Sequence, residues 1–390
     1  MHSTPRIECF QSSFTRFVWQ LQSFSEILGG PGTSVEARWS RYKSLSRSCM
    51  RRVSQEGESN IAYHVSTTPT ARDLVEINER HGQWRESHAR TWLASPAGVK
   101  ATRNRPRSHP FHKQAVLERT RWQSGKELLQ YYGQSYGTTL GQYVATMYPE
   151  KMHRTIFDST HLVNTSERNG FPPENLVDAD KVLASFCGYC HIAGPNKCGL
   201  YRDSAKEVCT VIEEVFAQLY KKPLVVPSTD QRGPAVVTYA DLKRSFGRAV
   251  YAPVRAFPRY AQFFQDLSEG NGSSFANWKS ASEETEFADA VELAPSQKCL
   301  DEGPFSGACQ NVGQRQDEVE LSIFCTDHEG AEDLDMAEFE HYWARMKEQS
   351  KVLGDIFAEH LLKCVGWTVR AKWREIGMAA FITCSPISIS

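Results

Sequence analysis

The chain has 390 residues, enough for about two or three domains, and its 45 Lys plus Arg against 46 Asp plus Glu leave a formal charge of −1. That balance argues against a protein whose main task is coating nucleic acid or an anionic membrane, because such binding is driven by clustered positive charge. With 40 % hydrophobic and 23 % charged residues the composition is globular, and no run approaches the roughly 18 apolar residues needed to cross a bilayer.

In chain order, residues 1–66 read as a helical lead-in, with helices expected over Phe14–Phe24 and Val35–Arg52. Met1–Phe10 is polar and lacks a basic segment followed by an apolar run, so no secretory leader is read there. Residues 67–158 open on Thr67-Thr68-Pro69, a capping hydroxyl with proline at the first helical position. Leu74, Val75 and Ile77 supply an apolar stripe, and the helix is expected to fray near His81-Gly82. Residues 85–121 are basic and Pro/Ser-rich, with Lys100, Arg103, Arg105, Arg107 and Lys113. Few aromatics are there to stack on bases, so the stretch reads as a solvated surface insertion, not a nucleic-acid patch.

A short apolar run, Leu128–Tyr132, has strand length and precedes Gly133-Gln134-Ser135-Tyr136-Gly137. Tyr136, Leu140, Tyr143, Val144 and Met147 then fall on one helical face, Pro149 marks the stop, and Arg154–Asp158 reads as a second strand. Strand, tight turn, helix, strand is one βαβ unit, with a parallel pair and a right-handed crossover. Residues 159–366 are mostly helical, with helices expected over Ala179–Phe186, Ser204–Leu219, Tyr239–Val250, Phe257–Glu269 and Met336–Leu362. Gly272–Gly313 is rich in Ser, Gly and Glu and reads as a flexible connection, and Ala379–Ser390 has no clear pattern.

Gly-x-Ser-x-Gly at 133–137 is the feature that carries chemistry. A nucleophilic serine above a parallel sheet needs a turn too sharp for ordinary side chains, and glycines at minus two and plus two let the two backbones pass closely. The serine hydroxyl then lies at a helix N-terminus, where the N–H of Tyr136 can stabilise a developing oxyanion. Gly141, one turn after Gly137, keeps that side of the helix small.

Eleven cysteines are present. Cys190 and Cys198 bracket a segment whose Gly-Pro is a turn signal, and a disulfide between them is expected. Cys187, Cys190, His191 and Cys198 could also suggest zinc, but a second separated ligand pair is lacking and no metal is expected. Cys325 with Cys364 is a further disulfide candidate. Asn164-Thr-Ser and Asn271-Gly-Ser match the glycosylation sequon.

Leu129–Ser159 resembles the nucleophile elbow of fungal tripeptidyl-aminopeptidase-like α/β-hydrolases, in the prolyl-aminopeptidase group of serine peptidases. The similarity extends over Ile7–Phe10, Val65–Ile77, Cys190–Cys198, Val236–Phe246 and Cys364–Gly377. The resemblance implies an α/β fold with an incomplete α/β-hydrolase core (nucleophile strand, elbow, helix and next strand) at 67–158 and a large helical cap at 159–366. Residues 367–390 would begin the return to the core. It implies no cofactor, a peptide or small ester as substrate, and Ser135 as a nucleophile forming an acyl-enzyme near a free N-terminus. Cap carboxylates such as Glu213 and Glu214 could hold the substrate ammonium group, and such relatives suggest secretion.

In that family the triad acid and base lie on loops after later strands, beyond the exit segment that corresponds to Gly366–Trp373. The sequence departs from the pattern at about Met378, so the chain is expected to be truncated at both ends and inactive. A non-catalytic remnant or binding protein is the alternative, with a complementing chain or partner for the incomplete sheet. Gly29-Gly-Pro-Gly32 mimics the family's oxyanion loop but lies downstream of Ile7–Phe10, and reads as an ordinary turn. His328, His341 and His360, with Asp327 or Asp335, are the remaining base candidates, although helix positions favour surface or core roles for them.

Overall fold

The computed structural model describes residues 7, 9–24, 26–57, 60–160, 171–230, 232–281, 297–302, 308, 317–328 and 333–374. In chain order its elements are α1 (Ser13–Phe24), α2 (Val35–Glu56), α3 (Thr67–Ala94), α4 (Pro96–Thr102), α5 (Lys113–Thr120), β1 (Leu129–Gln134), α6 (Tyr136–Met147) and β2 (Met152–Asp158). There follow α7 (Ala179–Ala193), α8 (Ala205–Lys221), β3 (Leu224–Val226), β4 (Ala235–Val237), α9 (Tyr239–Ala249) and α10 (Pro253–Ser268). The last are α11 (273–281), α12 (Gln297–Glu302), α13 (Asp317–Asp327), α14 (Met336–Gln349) and α15 (Gly354–Leu362). The fold is mixed α/β, dominated by helix, with small sheets. It divides into a βαβ unit, residues 64–166 with 371–390, and a helical unit, residues 1–63 with 167–370.

In the βαβ unit, β1 and β2 pair in parallel, with Tyr131 opposite Thr155, Tyr132 opposite Ile156 and Gln134 opposite Asp158. α6 crosses between them and packs on α3. Ala71, Leu140, Tyr143 and Val144 form the core of that contact, with Leu74, Val75, Leu129, Met147 and Met152 around it. On the pleat, alternate side chains point to opposite faces. Tyr132 and Ile156 are 61 % and 62 % exposed, so the described residues leave their side of the sheet largely uncovered.

α3 departs from the sequence expectation at both ends. It starts at Thr67 with Ser66 as its N-cap residue, and Pro69 sits at the third helical position, where the missing N–H costs no helix bond. The Ser66 hydroxyl does not cap the helix but donates to the Trp373 carbonyl at 3.1 Å. The helix also runs unbroken through His81-Gly82, where fraying was expected. A Cβ at Gly82 would lie 2.6 Å from Cδ of Glu127 and 2.7 Å from Trp122. The glycine therefore admits the segment before β1, and that packing outweighs its helix-propensity cost of about 1 kcal/mol.

Nor is 85–121 merely a solvated insertion. It contains the end of α3, α4 and α5, and Ala89, Leu93 and Val116 form a small apolar cluster with Trp92 and Leu117.

The helical unit is built around aromatic side chains. Phe186 of α7, Phe246 of α9, and Tyr260 and Phe264 of α10 are buried against one another and against Phe216 of α8. Disulfides join Cys9 to Cys49, Cys187 to Cys209, Cys190 to Cys198, and Cys325 to Cys364. Gly29 and Gly32 take positive φ of 73° and 70° in two successive turns, closed by the Gly30 N–H on the Ile27 carbonyl at 2.9 Å and by the Thr33 N–H on the Gly30 carbonyl at 3.3 Å.

Several expectations fail here for tertiary reasons. Met336–Leu362 is two helices, because the Asp180 carboxylate draws in the linker, accepting from Ser350 Oγ at 2.6 Å and from the N–H groups of Lys351 and Val352 at 3.0 and 3.1 Å. α7 continues past Phe186 to Ala193, carrying Cys187 and Cys190 to their disulfide partners. The stretch expected to be mostly helical also holds, between two of its expected helices, an antiparallel hairpin, β3–β4, in which four of the six residues are valine. Of the connection expected over 272–313, residues 273–281 are helical with Phe275 fully buried, and α12 occupies Gln297–Glu302. Residues 282–296, 303–307 and 309–313 lie outside the described residues, as do Asn164, Met378 and the tail from Ala379 to Ser390.

Candidate active site

β1 ends at Gln134 and α6 starts at Tyr136, so Ser135 alone makes the bend. Its backbone has φ 53° and ψ −123°, a conformation that side chains with a Cβ rarely adopt and that costs on the order of 1–3 kcal/mol. Both of its peptide groups are held. The Ser135 N–H donates to the Asp158 carbonyl at 3.1 Å, anchoring the bend to the end of β2. The Ser135 carbonyl accepts from the Thr138 N–H at 2.8 Å and from Thr138 Oγ1 at 2.7 Å.

The glycines around the bend do unequal work. A Cβ at Gly133 would lie 2.4 Å from the Gly137 carbonyl oxygen, a backbone atom that cannot swing away. At Gly137 itself the nearest atom to an added Cβ is the Tyr131 hydroxyl, 3.8 Å away. Close approach therefore constrains the position before the serine and not the one after it. Gly141 is the second tight point, with Phe157 at 2.4 Å and Tyr131 at 2.5 Å from an added Cβ, so α6 lies directly on those strand side chains. The Tyr131 hydroxyl also donates to the Gly137 carbonyl, tying strand to helix.

Ser135 and Tyr136 are exposed. The Tyr136 N–H belongs to the first turn of α6, where the helix dipole favours negative charge, and its hydroxyl pairs with Thr67 Oγ1 at 2.6 Å.

Asp158 is the neighbour that sequence reasoning missed. Its carbonyl holds Ser135, and its Oδ2 accepts the Tyr132 hydroxyl at 2.7 Å. That hydrogen bond is the main cause that raises the Tyr132 pKa above its ordinary value. The parallel register, which sets Gln134 opposite Asp158, is the signal that could have found it. Serine, carboxylate and tyrosine thus share the carboxyl end of a parallel strand pair, the edge at which open α/β sheets bind ligands.

The other candidates lie elsewhere. His328, His341 and His360 belong to the helical unit. His328 Nδ1 lies 2.6 Å from the Phe324 carbonyl, and His360 packs edge-on to Phe171 at 5.5 Å between ring centroids. His341 is exposed on α14. Asp335 caps α14, accepting the Glu338 N–H at 2.8 Å, and Asp327 is the last residue of α13. Glu213 and Glu214 are exposed on α8. Cys187, Cys190 and Cys198 are all in disulfides, which removes the thiolates a metal would need, and His191 Nδ1 pairs with the Arg202 carbonyl at 3.0 Å. Among the described residues no group of three or more His, Cys, Asp or Glu could hold a metal ion.

A scan against family models and a search of curated proteins each return no match for this chain.

Proposed function

We propose that the chain is a serine hydrolase of the α/β-hydrolase type, related to the fungal tripeptidyl-aminopeptidase-like serine peptidases. Ser135 Oγ attacks the carbonyl of a peptide near its free N-terminus, or of a small ester. The Tyr136 N–H stabilises the oxyanion, and water then clears the acyl-enzyme. One observation carries this reading: a non-glycine residue at φ 53°, alone between a parallel strand and a helix, within Gly-x-Ser-x-Gly. Strain of that kind persists where the surrounding structure imposes it, and in this motif it is what exposes the hydroxyl.

Attack requires a base. The residue adjoining the bend carries a carboxylate, Asp158, already engaged by Tyr132, and a carboxylate is a weaker base than imidazole at neutral pH. Acylation is therefore expected to be slow. A fluorophosphonate probe should label Ser135 slowly on the folded full chain, with the label lost in Ser135→Ala. Absence of any Ser135-dependent label on folded protein defeats the hydrolase reading.

The second reading is a non-catalytic remnant whose open sheet face binds a complementing chain. The exposed pair Tyr132 and Ile156 favours it, because parallel sheets are ordinarily covered on both faces. Rapid labelling together with turnover of N-terminal peptide substrates would exclude it.

A further inference from the structure

We propose that Asn271 is an N-glycosylation site, occupied when the chain folds in an oxidising secretory lumen. Asn271-Gly272-Ser273 fits the acceptor sequon, and that pattern alone is common. Three independent features of the fold give it weight.

The first is the state of the asparagine. Asn271 is exposed in the turn between α10 and α11. Its backbone N–H donates to the Asp266 carbonyl at 2.8 Å, and its Oδ1 accepts the Ser273 N–H at 3.0 Å. The acceptor half of the side-chain amide is thus used locally. The nucleophilic half, Nδ2, makes no hydrogen bond among the described residues.

The second is the seat beneath it. A Cβ at Gly272 would lie 2.6 Å from Val226 Cγ2, 3.0 Å from Leu224 Cδ2 and 3.2 Å from Val237 Cγ2. The middle residue of the sequon is therefore pressed onto the β3–β4 hairpin while Asn271 beside it faces solvent. A bulky sugar on Nδ2 can leave the surface without displacing the hairpin.

The third is redox chemistry. Cys9–Cys49, Cys187–Cys209, Cys190–Cys198 and Cys325–Cys364 are all bonded. Disulfides at this density persist in oxidising compartments and are rare in a reducing cytosol. The eukaryotic secretory lumen is also where lipid-linked oligosaccharide is transferred to asparagine. None of these three observations depends on Ser135 or on the hydrolase reading.

The step balances as a group transfer. Nδ2 of Asn271 forms a bond to C1 of the first sugar of a lipid pyrophosphate-linked oligosaccharide. The C1–O bond to pyrophosphate breaks, the lipid pyrophosphate leaves with the electron pair, and one amide proton passes to a base of the host transferase.

The test uses the full chain, translated behind a cleavable secretory leader with endoplasmic-reticulum microsomes. Protease-protected chains are treated with a glycan-releasing amidase in heavy-oxygen water, which converts each formerly glycosylated asparagine to isotopically tagged aspartate. The tag is expected at 271. It should be lost in Asn271→Gln and in Ser273→Ala, and retained in Ser273→Thr. Because transfer occurs on the entering chain, a folding defect in a variant does not blur this outcome. Protease-protected wild-type chain carrying unmodified Asn271 overturns the proposal, and so does a tag confined to Asn164.

Discussion

Each unit has a carboxylate that gathers distant segments, and the two do so in different surroundings. In the helical unit, Glu359 is buried on α15, with only 3 % of its side chain exposed. It accepts from Arg38 Nη2 at 2.9 Å, from Arg244 Nη2 at 3.2 Å and from the Leu28 N–H at 2.9 Å. Arg38 in turn donates to the Tyr42 hydroxyl at 2.8 Å, and burial pushes that phenol well above its ordinary pKa. In the βαβ unit, Glu79 on α3 borders solvent, with 14 % of its side chain exposed. It takes Lys151 Nζ at 2.9 Å, the Trp122 indole at 3.1 Å, and the N–H groups of Gly125 and Glu127 at 3.1 and 3.3 Å. Glu359 balances one fully buried cation, Arg38, and one half-buried cation, Arg244, whereas Glu79 holds a loop mostly through neutral donors. Fully desolvated charges are costly when unmatched, and neutral donors near water are not.

The largest expected effect follows from that contrast. Glu359→Gln leaves the fully buried Arg38, and the half-buried Arg244, against a neutral amide and should cost about 3–5 kcal/mol in denaturant unfolding of the full chain. A loss below about 1 kcal/mol would erase the distinction. Glu79→Gln should cost about 2 kcal/mol, since Lys151 can recover water while the loop donors keep a weaker acceptor.

Acid sharpens the comparison further. Burial raises the Glu359 pKa, but Arg244 and Arg38 outweigh it and hold the carboxyl below its usual value. Desolvation likewise opposes ionisation of Glu79, and Lys151 and Trp122 outweigh it. A folded-state pKa lowered in this way contributes stability that is present above the unfolded value, roughly 4.3 for Glu. The contribution is lost as pH falls through the lower folded value. Unfolding midpoints should therefore drop below about pH 4, with a shallower drop in Glu359→Gln. An identical acid limb in wild type and Glu359→Gln would contradict the assignment.

The smallest effect belongs to the bend. Ser135→Gly relieves a conformation that glycine adopts freely and should stabilise the βαβ unit by about 1 kcal/mol, read as a higher unfolding midpoint, while abolishing fluorophosphonate labelling. A destabilised variant would mean that the bend is not strained.

The parts legible in the sequence were those whose determinants lie close together. β1, the bend, α6 and β2 follow from a pentapeptide and a helical stripe within about thirty residues, and they appear near the expected boundaries. Features set by remote partners were not legible. α3 crosses Gly82 because Trp122 and Glu127 pack there, and α14 stops because Asp180 captures the Ser350 linker across 170 residues. Glu359 meets Arg38 across 321 residues and Arg244 across 115, and no local pattern announces such a triad. β3 and β4, at three residues each, are too short for periodicity to separate from loop. Within the site, the serine and its glycines could be read locally, but Asp158 required the cross-strand register.

The clamp on Ser135 has a mechanical consequence. With the amide fastened to the last carbonyl of β2 and the carbonyl fastened to Thr138, the main chain at the apex behaves as a rigid mount. Rotation about one side-chain bond is the principal motion left to the oxygen, giving it three staggered stations. Any molecule that reaches the apex meets an atom whose few positions were settled during folding, so little ordering remains to be done at the moment of encounter.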